Sequence, residues 1–182
     1  MAQPRHVIIA GAGIAGLTAA LALARAGIRV TVYEQTGKLE ETGAGVQLSP
    51  NGSRVLIALG LRERLASVAV APKAIRVMSG GSAREVVRIP LGAEVEQRFG
   101  APYWSIHRGD LQSALVEAVR NERDIALELG VRIEDFAAHG RGVSVLGKRG
   151  SQVLDERGIA LIGADGIWSN VASRLRRLPP PT

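Results

Sequence analysis

The stretch from Arg5 to Glu34, RHVIIAGAGIAGLTAALALARAGIRVTVYE, constrains this chain more than any other. A short apolar run, Val7 to Ala10, meets Gly11-Ala12-Gly13-Ile14-Ala15-Gly16; an Ala/Leu-rich segment follows, then a β-branched run from Ile28 to Tyr33 that ends in Glu34. Strand, glycine turn, helix, strand and acid in that order form the unit that grips the pyrophosphate of a dinucleotide. Gly11 turns the chain out of the strand, Gly13 lets backbone N–H groups approach the phosphates, and Gly16 lets the helix pack closely on the sheet. The helix N-terminus then offers unpaired N–H donors and a partial positive charge. Ile14, Leu17, Leu21 and Ala24 form the stripe expected to face the sheet, and Gly27 is the expected stop. Glu34 stands at the spacing, about 20 residues beyond the turn, at which a carboxylate accepts the ribose hydroxyls of an adenosine. Such an acid repels a 2′-phosphate, so the expected nucleotide is FAD or NAD and not NADP.

The chain has 182 residues, 46% of them hydrophobic, which suffices for a core and about one domain. It has no cysteine, which excludes disulfides, thiolate metal sites and cysteine nucleophiles and fits a reducing compartment. Pro4, Arg5 and His6 lead directly into the first strand, and the apolar stretch from Ile14 to Ala24 is too short to span a bilayer. The expectation is a cytoplasmic protein without a membrane partner. The net charge of +6 raises the question of nucleic acid, but the basic residues are scattered and only 3% of residues are aromatic. No nucleic-acid partner is expected.

Further along, Ser49-Pro50 reads as an N-cap and first helical residue, with Val55, Leu56 and Leu59 on one face of a helix ending at Gly60. Thr42-Gly43-Ala44-Gly45 before it is a loop whose backbone can pass close to a flat ligand. Ile75, Val77, Val86, Val87 and Ile89 flank Ser79-Gly80-Gly81-Ser82 as a hairpin, and Pro90 to Pro102 reads as a loop. Leu111, Leu115, Ala118 and Val119 share a face of a second amphipathic helix, entered through His107-Arg108-Gly109-Asp110. Arg108 suits either a phosphate or a ring oxygen, or is a surface arginine at a helix entrance. His6, His107 and His139 stand without an identifiable carboxylate partner, so no catalytic residue is assigned. No metal-ligand or Ser/His/Asp spacing is present, and no metal is expected. Strand-like runs follow at 125–129, 131–136 and 143–146. The last regular run, Gly158 to Gly163, reads as a parallel strand opening into Ala164-Asp165-Gly166 at its carboxyl end, where ligands sit in such sheets. Arg174, Arg176, Arg177 and Pro179-Pro180-Pro181 close the chain.

Three blocks together resemble the single-component FAD-dependent aromatic-ring monooxygenases, the group of salicylate hydroxylase and para-hydroxybenzoate hydroxylase. They are Gly11 to Gly16 with Glu34, the pair GAGVQLSPNGSRVL and WSIHRGDLQSAL, and LIGADGIWSNV. The resemblance implies an α/β, Rossmann-like FAD-binding fold: a parallel sheet with helices and an antiparallel β excursion, lacking the C-terminal half of the family fold. It implies a first part of the FAD-binding domain at 1–72, partial substrate-domain strands at 73–100, a second FAD-binding part at 101–178 and a tail at 179–182. By position, Gly11, Gly13 and Gly16, with Ala15 between them, match the FAD pyrophosphate contact and Glu34 the ribose contact. Ala44 and Gly45 match the loop near the flavin, Arg108 a flavin-contacting arginine, and Asp165-Gly166 the family DG motif associated with FAD and NAD(P)H.

The chemistry implied is hydroxylation of a salicylate-like aromatic substrate by tightly but non-covalently bound FAD, with NAD(P)H and O2 as co-substrates; a homodimer is a compatible assembly. The alternative is a truncated, non-catalytic FAD- or nucleotide-binding module, and a related FAD halogenase or epoxidase shares the same N-terminal blocks. A halogenase lysine and tryptophan motif is not present. Two departures stand out: Ser169-Asn170-Val171 is followed by Ala172 where the family pattern has arginine, and family members continue for about as long again beyond the length of this chain.

Overall fold

The structure, a computed structural model, describes residues 5–39 and 44–176. Thr42, Gly43, Arg177 and Pro179 to Pro181, named above, lie outside the described residues, as does Pro4. The chain opens with β1 (His6–Ala10), α1 (Ile14–Arg25) and β2 (Arg29–Glu34). Next come β3 (Gly45–Leu48), α2 (Pro50–Ala58), α3 (Arg62–Ala66), β4 (Ala74–Met78), β5 (Glu85–Pro90), α4 (Ala93–Phe99), β6 (Trp104–His107) and α5 (Arg108–Arg120). The remainder is β7 (Ile125–Leu129), β8 (Arg132–His139), β9 (Gly142–Arg149), β10 (Gln152–Gly158), β11 (Ala160–Gly163) and α6 (Asn170–Leu175). Two compact units result, one of Met1–Glu40 with Leu115–Thr182, the other of Glu41–Ala114.

The first unit is built on a parallel sheet in the order β11-β1-β2-β7. Ile8, Ile9, Val30 and Val32 are buried, as near-continuous apolar strands in a covered parallel sheet must be. Each such side chain contributes about 1.5–3 kcal/mol on burial. The helix α1 packs against β1, β2 and β7 and buries Leu17, Ala20, Leu21 and Ala24. Ile14, expected on that stripe, is only half-buried, because it lies at the open end of the helix beside the glycine turn. An antiparallel sheet in the order β10-β9-β8 supplies Ile133, Val143 and Val145 to a core shared with Ile8, Ala10, Tyr33 and Val171. The strand β10 carries no apolar alternation; seven paired positions with β9 define it. The α/β class with a parallel sheet and an antiparallel excursion is therefore what the chain adopts.

The second unit pairs β3 with β6 and β4 with β5, both antiparallel. Its core is Leu56, Leu61, Leu65, Trp104 and Ile106, together with Ser53, whose hydroxyl is fully buried and donates to the Pro102 carbonyl at 2.6 Å. Val55, expected on the inner face of α2, is 47% exposed, since Ser53 and Leu56 take that face instead. The hairpin forms at the expected place, with Val86, Val87 and Ile89 exposed. Residues 90–102 are not all loop, because α4 occupies Ala93–Phe99. Gly92 and Gly100, which suggest loop in the sequence, bracket that helix; Gly100 is a left-handed C-cap, and Glu94 and Arg98 match the helix dipole at their ends.

Candidate functional site

In the first unit the carboxyl ends of β1, β2 and β11 meet around the glycine turn. Gly11 has φ +103°, donates its N–H to the Tyr33 carbonyl at 2.7 Å, and would place a Cβ 2.3 Å from the Ala164 carbonyl oxygen. A Cβ on Gly16 would lie 1.9 Å from the Gly11 oxygen. The fold itself therefore requires both glycines. Gly13 is different: its φ of −72° suits any residue, and a Cβ there meets nothing within 4 Å. Nothing among the described residues explains that missing side chain, whereas a group docked in front of the turn would.

That open space lies at the N-terminus of α1. Its N-cap, Gly13, supplies no side-chain hydrogen bond, and no acidic residue stands in the first turn. The first helical bond runs from the Leu17 N–H to the Gly13 carbonyl at 3.0 Å, so the N–H groups of Ile14, Ala15 and Gly16 have no intrahelical partner. Ala15 is exposed there. Open space, unpaired donors and the positive end of a helix dipole suit a pyrophosphate.

Glu34, half-buried at the end of β2, reaches across to this turn. One of its carboxylate oxygens, Oε2, accepts the Ala12 N–H at 2.8 Å, while Oε1 accepts the Thr36 N–H at 2.9 Å and the Thr36 hydroxyl at 3.1 Å. The acid thus fastens the turn as well as presenting charge beside it. Thr36 is a partner that sequence reasoning missed; a hydroxyl two residues after a strand-terminal acid is its only signal.

Asp165 follows β11, with the Ala164 N–H bound to the Ala10 carbonyl at 2.7 Å. Its carboxylate is committed locally: Oδ1 accepts the Ser169 hydroxyl, and Oδ2 accepts the N–H groups of Asn170 at 2.7 Å and Val171 at 3.2 Å. Ser169 in turn accepts the Ala172 N–H at 2.9 Å, so the two side chains together cap α6. Asn170 Nδ2 donates to the Ile133 carbonyl at 3.2 Å, and Arg174 pairs with Asp135 at 3.0 Å, holding α6 to β8. Gly166 has φ +79°, and beyond it Ile167 and Trp168 are 90% and 89% exposed.

The remaining predicted residues belong to the second unit. Gly45 pairs with His107 across β3 and β6, and the Arg108 N–H bonds the Ala44 carbonyl at 3.3 Å, which brings Ala44, Gly45 and Arg108 together. Arg108 is exposed, and His107 is an exposed strand residue. A Cβ on Gly45 would meet only the Ile106 oxygen, at an ordinary 3.8 Å.

A cleft of about 420 Å³ in the first unit is lined by Thr31, Tyr33, Glu128, Arg149, Leu154 and Glu156 among others, and by none of the predicted cofactor residues. Tyr33 donates to Glu156 there, and His6 Nε2 lies 2.9 Å from the Thr31 hydroxyl, so its polar groups bond one another. Among the described residues no group of His, Cys, Asp and Glu could hold a metal, and no helix is long and apolar enough to cross a membrane, which says nothing of a β-barrel.

Fold and turn together define an α/β dinucleotide-binding protein. The chain belongs to the FAD binding domain family, whose model matches residues 5–177. Among its relatives, 3-hydroxybenzoate 6-hydroxylase 1 of Aquipseudomonas alcaligenes is 38% identical over 170 residues, covering 93% of this chain and 42% of that protein. The 3-amino-4-hydroxybenzoate 2-monooxygenase of Streptomyces cremeus is 38% identical over 178 residues, covering 96% and 43%. Of solved structures, Klebsiella pneumoniae HpxO complexed with FAD and uric acid superposes with a TM-score of 0.81 at 26% identity, covering 97% of this chain and 43% of that one. The chain thus spans less than half the length of the relatives it matches. FAD is the cofactor of this family, and the open turn before α1 fits its pyrophosphate.

Proposed function

We propose that this chain is the FAD-holding part of a flavoprotein monooxygenase that hydroxylates an aromatic, salicylate-like substrate with NAD(P)H and O2. The observation that carries the reading is Gly13, a glycine that the fold does not need, in front of a helix end with unpaired donors. The relatives named above, hydroxylases and monooxygenases of hydroxybenzoates, support the substrate class. A cytoplasmic setting agrees with the absence of cysteine.

In this reading the N–H groups after Gly13 hold the FAD pyrophosphate, Glu34 accepts from the adenosine ribose, and the turn from Asp165 to Gly166 borders the same site. In the second unit, Ala44, Gly45 and Arg108, which lie together there, are the residues that the family resemblance assigns to flavin contact. FAD, when bound, supplies electron transfer from NAD(P)H and the activation of O2. The residues of this chain orient it and donate backbone hydrogen bonds to its phosphates. Asp165 acts chiefly through the α6 cap, fixing the backbone of the turn.

The complete protein carrying this chain, assayed for NAD(P)H consumption, is expected to speed up when a hydroxybenzoate is added and to release a hydroxylated product. A yellow protein with neither response would instead be a module that binds FAD without this chemistry.

A further inference from the structure

Glu34 has more donors than a ribose contact leaves room for. A carboxylate offers about four lone-pair positions. Three are taken: one by the Ala12 N–H and two by the N–H and hydroxyl of Thr36. In the FAD reading the adenosine ribose presents both its 2′- and its 3′-hydroxyl to this carboxylate. One present donor must therefore give way.

The two amides are fixed. Ala12 is buried in the glycine turn, where the Gly11 N–H is held by the Tyr33 carbonyl at 2.7 Å. The Thr36 backbone is pinned by the Gly130 N–H on its carbonyl at 3.0 Å, and Glu34 by the Val131 N–H at 2.9 Å. The Thr36 hydroxyl alone moves freely, because its side chain is exposed and a single χ1 rotation takes it off the carboxylate. It also makes the longest of the three bonds.

We propose that the Thr36 hydroxyl is a placeholder on Glu34, bonded to the acceptor position that a ribose hydroxyl takes when FAD binds. The inference rests on the FAD reading above. Thr36 is then a residue that tunes affinity for the adenosine ribose, and removing its hydroxyl favours binding because one competing bond disappears.

The test is titration of FAD into the purified chain and its Thr36→Val, Thr36→Ala and Thr36→Ser variants, followed by flavin fluorescence, with circular dichroism as a check on folding. Thr36→Val and Thr36→Ala are expected to bind FAD about 2- to 10-fold more tightly, the range a net hydrogen bond corresponds to, and Thr36→Ser as the parent does. The gain is expected with ADP also, and is expected to vanish with 2′,3′-dideoxy-ADP, a selectivity that a merely structural role would not produce. Folded Thr36→Val and Thr36→Ala that bind FAD equally or more weakly overturn the proposal while leaving the FAD reading intact. A parent chain that binds no FAD overturns that reading, and the placeholder with it.

Discussion

Glu34 Oε2 accepts the backbone N–H of Ala12 at 2.8 Å, so the acid that ends the second strand is bonded to the turn that follows the first. Replacing Glu34 with alanine strands a buried backbone donor, at a cost of about 1–3 kcal/mol. The Glu34→Ala variant is expected to melt several degrees lower and to bind FAD at least tenfold more weakly. Glu34→Gln, which keeps one carbonyl acceptor, should fall between the two in both differential scanning calorimetry and flavin titration.

The three glycines of the turn separate by experiment. Gly16→Ala drives a methyl group to within 1.9 Å of the Gly11 oxygen and is expected to destabilise the fold by at least about 1–3 kcal/mol, as overpacking does. Gly13→Ala enters open space and is expected to leave the melting temperature unchanged or slightly raised. Comparable destabilisation by both would show that Gly13 is structural after all.

The first strand, glycine turn, helix and second strand were legible in the sequence almost to the residue, because period, glycine placement and burial there all favour one arrangement. The segment from Pro90 to Pro102 was not: Gly92 and Gly100 punctuate a helix as readily as a loop, and only the intervening Ala93 to Phe99 backbone decides. The amphipathic reading of α2 put Val55 inside, whereas the buried bond of Ser53 to the Pro102 carbonyl rotates the helix away from it. The positions of the candidate site were readable as a motif, but their bonding was not. That Asp165 spends its oxygens on Ser169, Asn170 and Val171 depends on where α6 begins, which no spacing rule fixes.

Asp165 and Ser169 act as one cap. Each of Asp165→Ala and Ser169→Ala is expected to cost about 0.5–2 kcal/mol. The double variant should cost clearly less than the sum, because each loss disables the other partner. Urea denaturation of the four proteins gives the coupling; strict additivity would mean that the two side chains cap α6 independently.

Arg108 is exposed, so Arg108→Ala should unfold at the same temperature as the parent. Its expected effect is confined to FAD, with affinity falling about 5- to 50-fold and Arg108→Lys recovering only part of the loss, since lysine lacks the planar donor fork. Unchanged FAD affinity in Arg108→Ala would remove Arg108 from the cofactor site.

Competition between ADP and FAD, followed calorimetrically on the purified chain and on its Gly13→Ala variant, tests the nucleotide grip most directly. ADP carries the pyrophosphate and the adenosine ribose but no flavin. It is expected to displace FAD from the parent, and both ligands should lose at least tenfold in affinity when Gly13 gains a methyl group while the fold stays intact. Equal affinities in the parent and in Gly13→Ala, or FAD that ADP cannot displace, would contradict the placement of the dinucleotide at the glycine turn before α1.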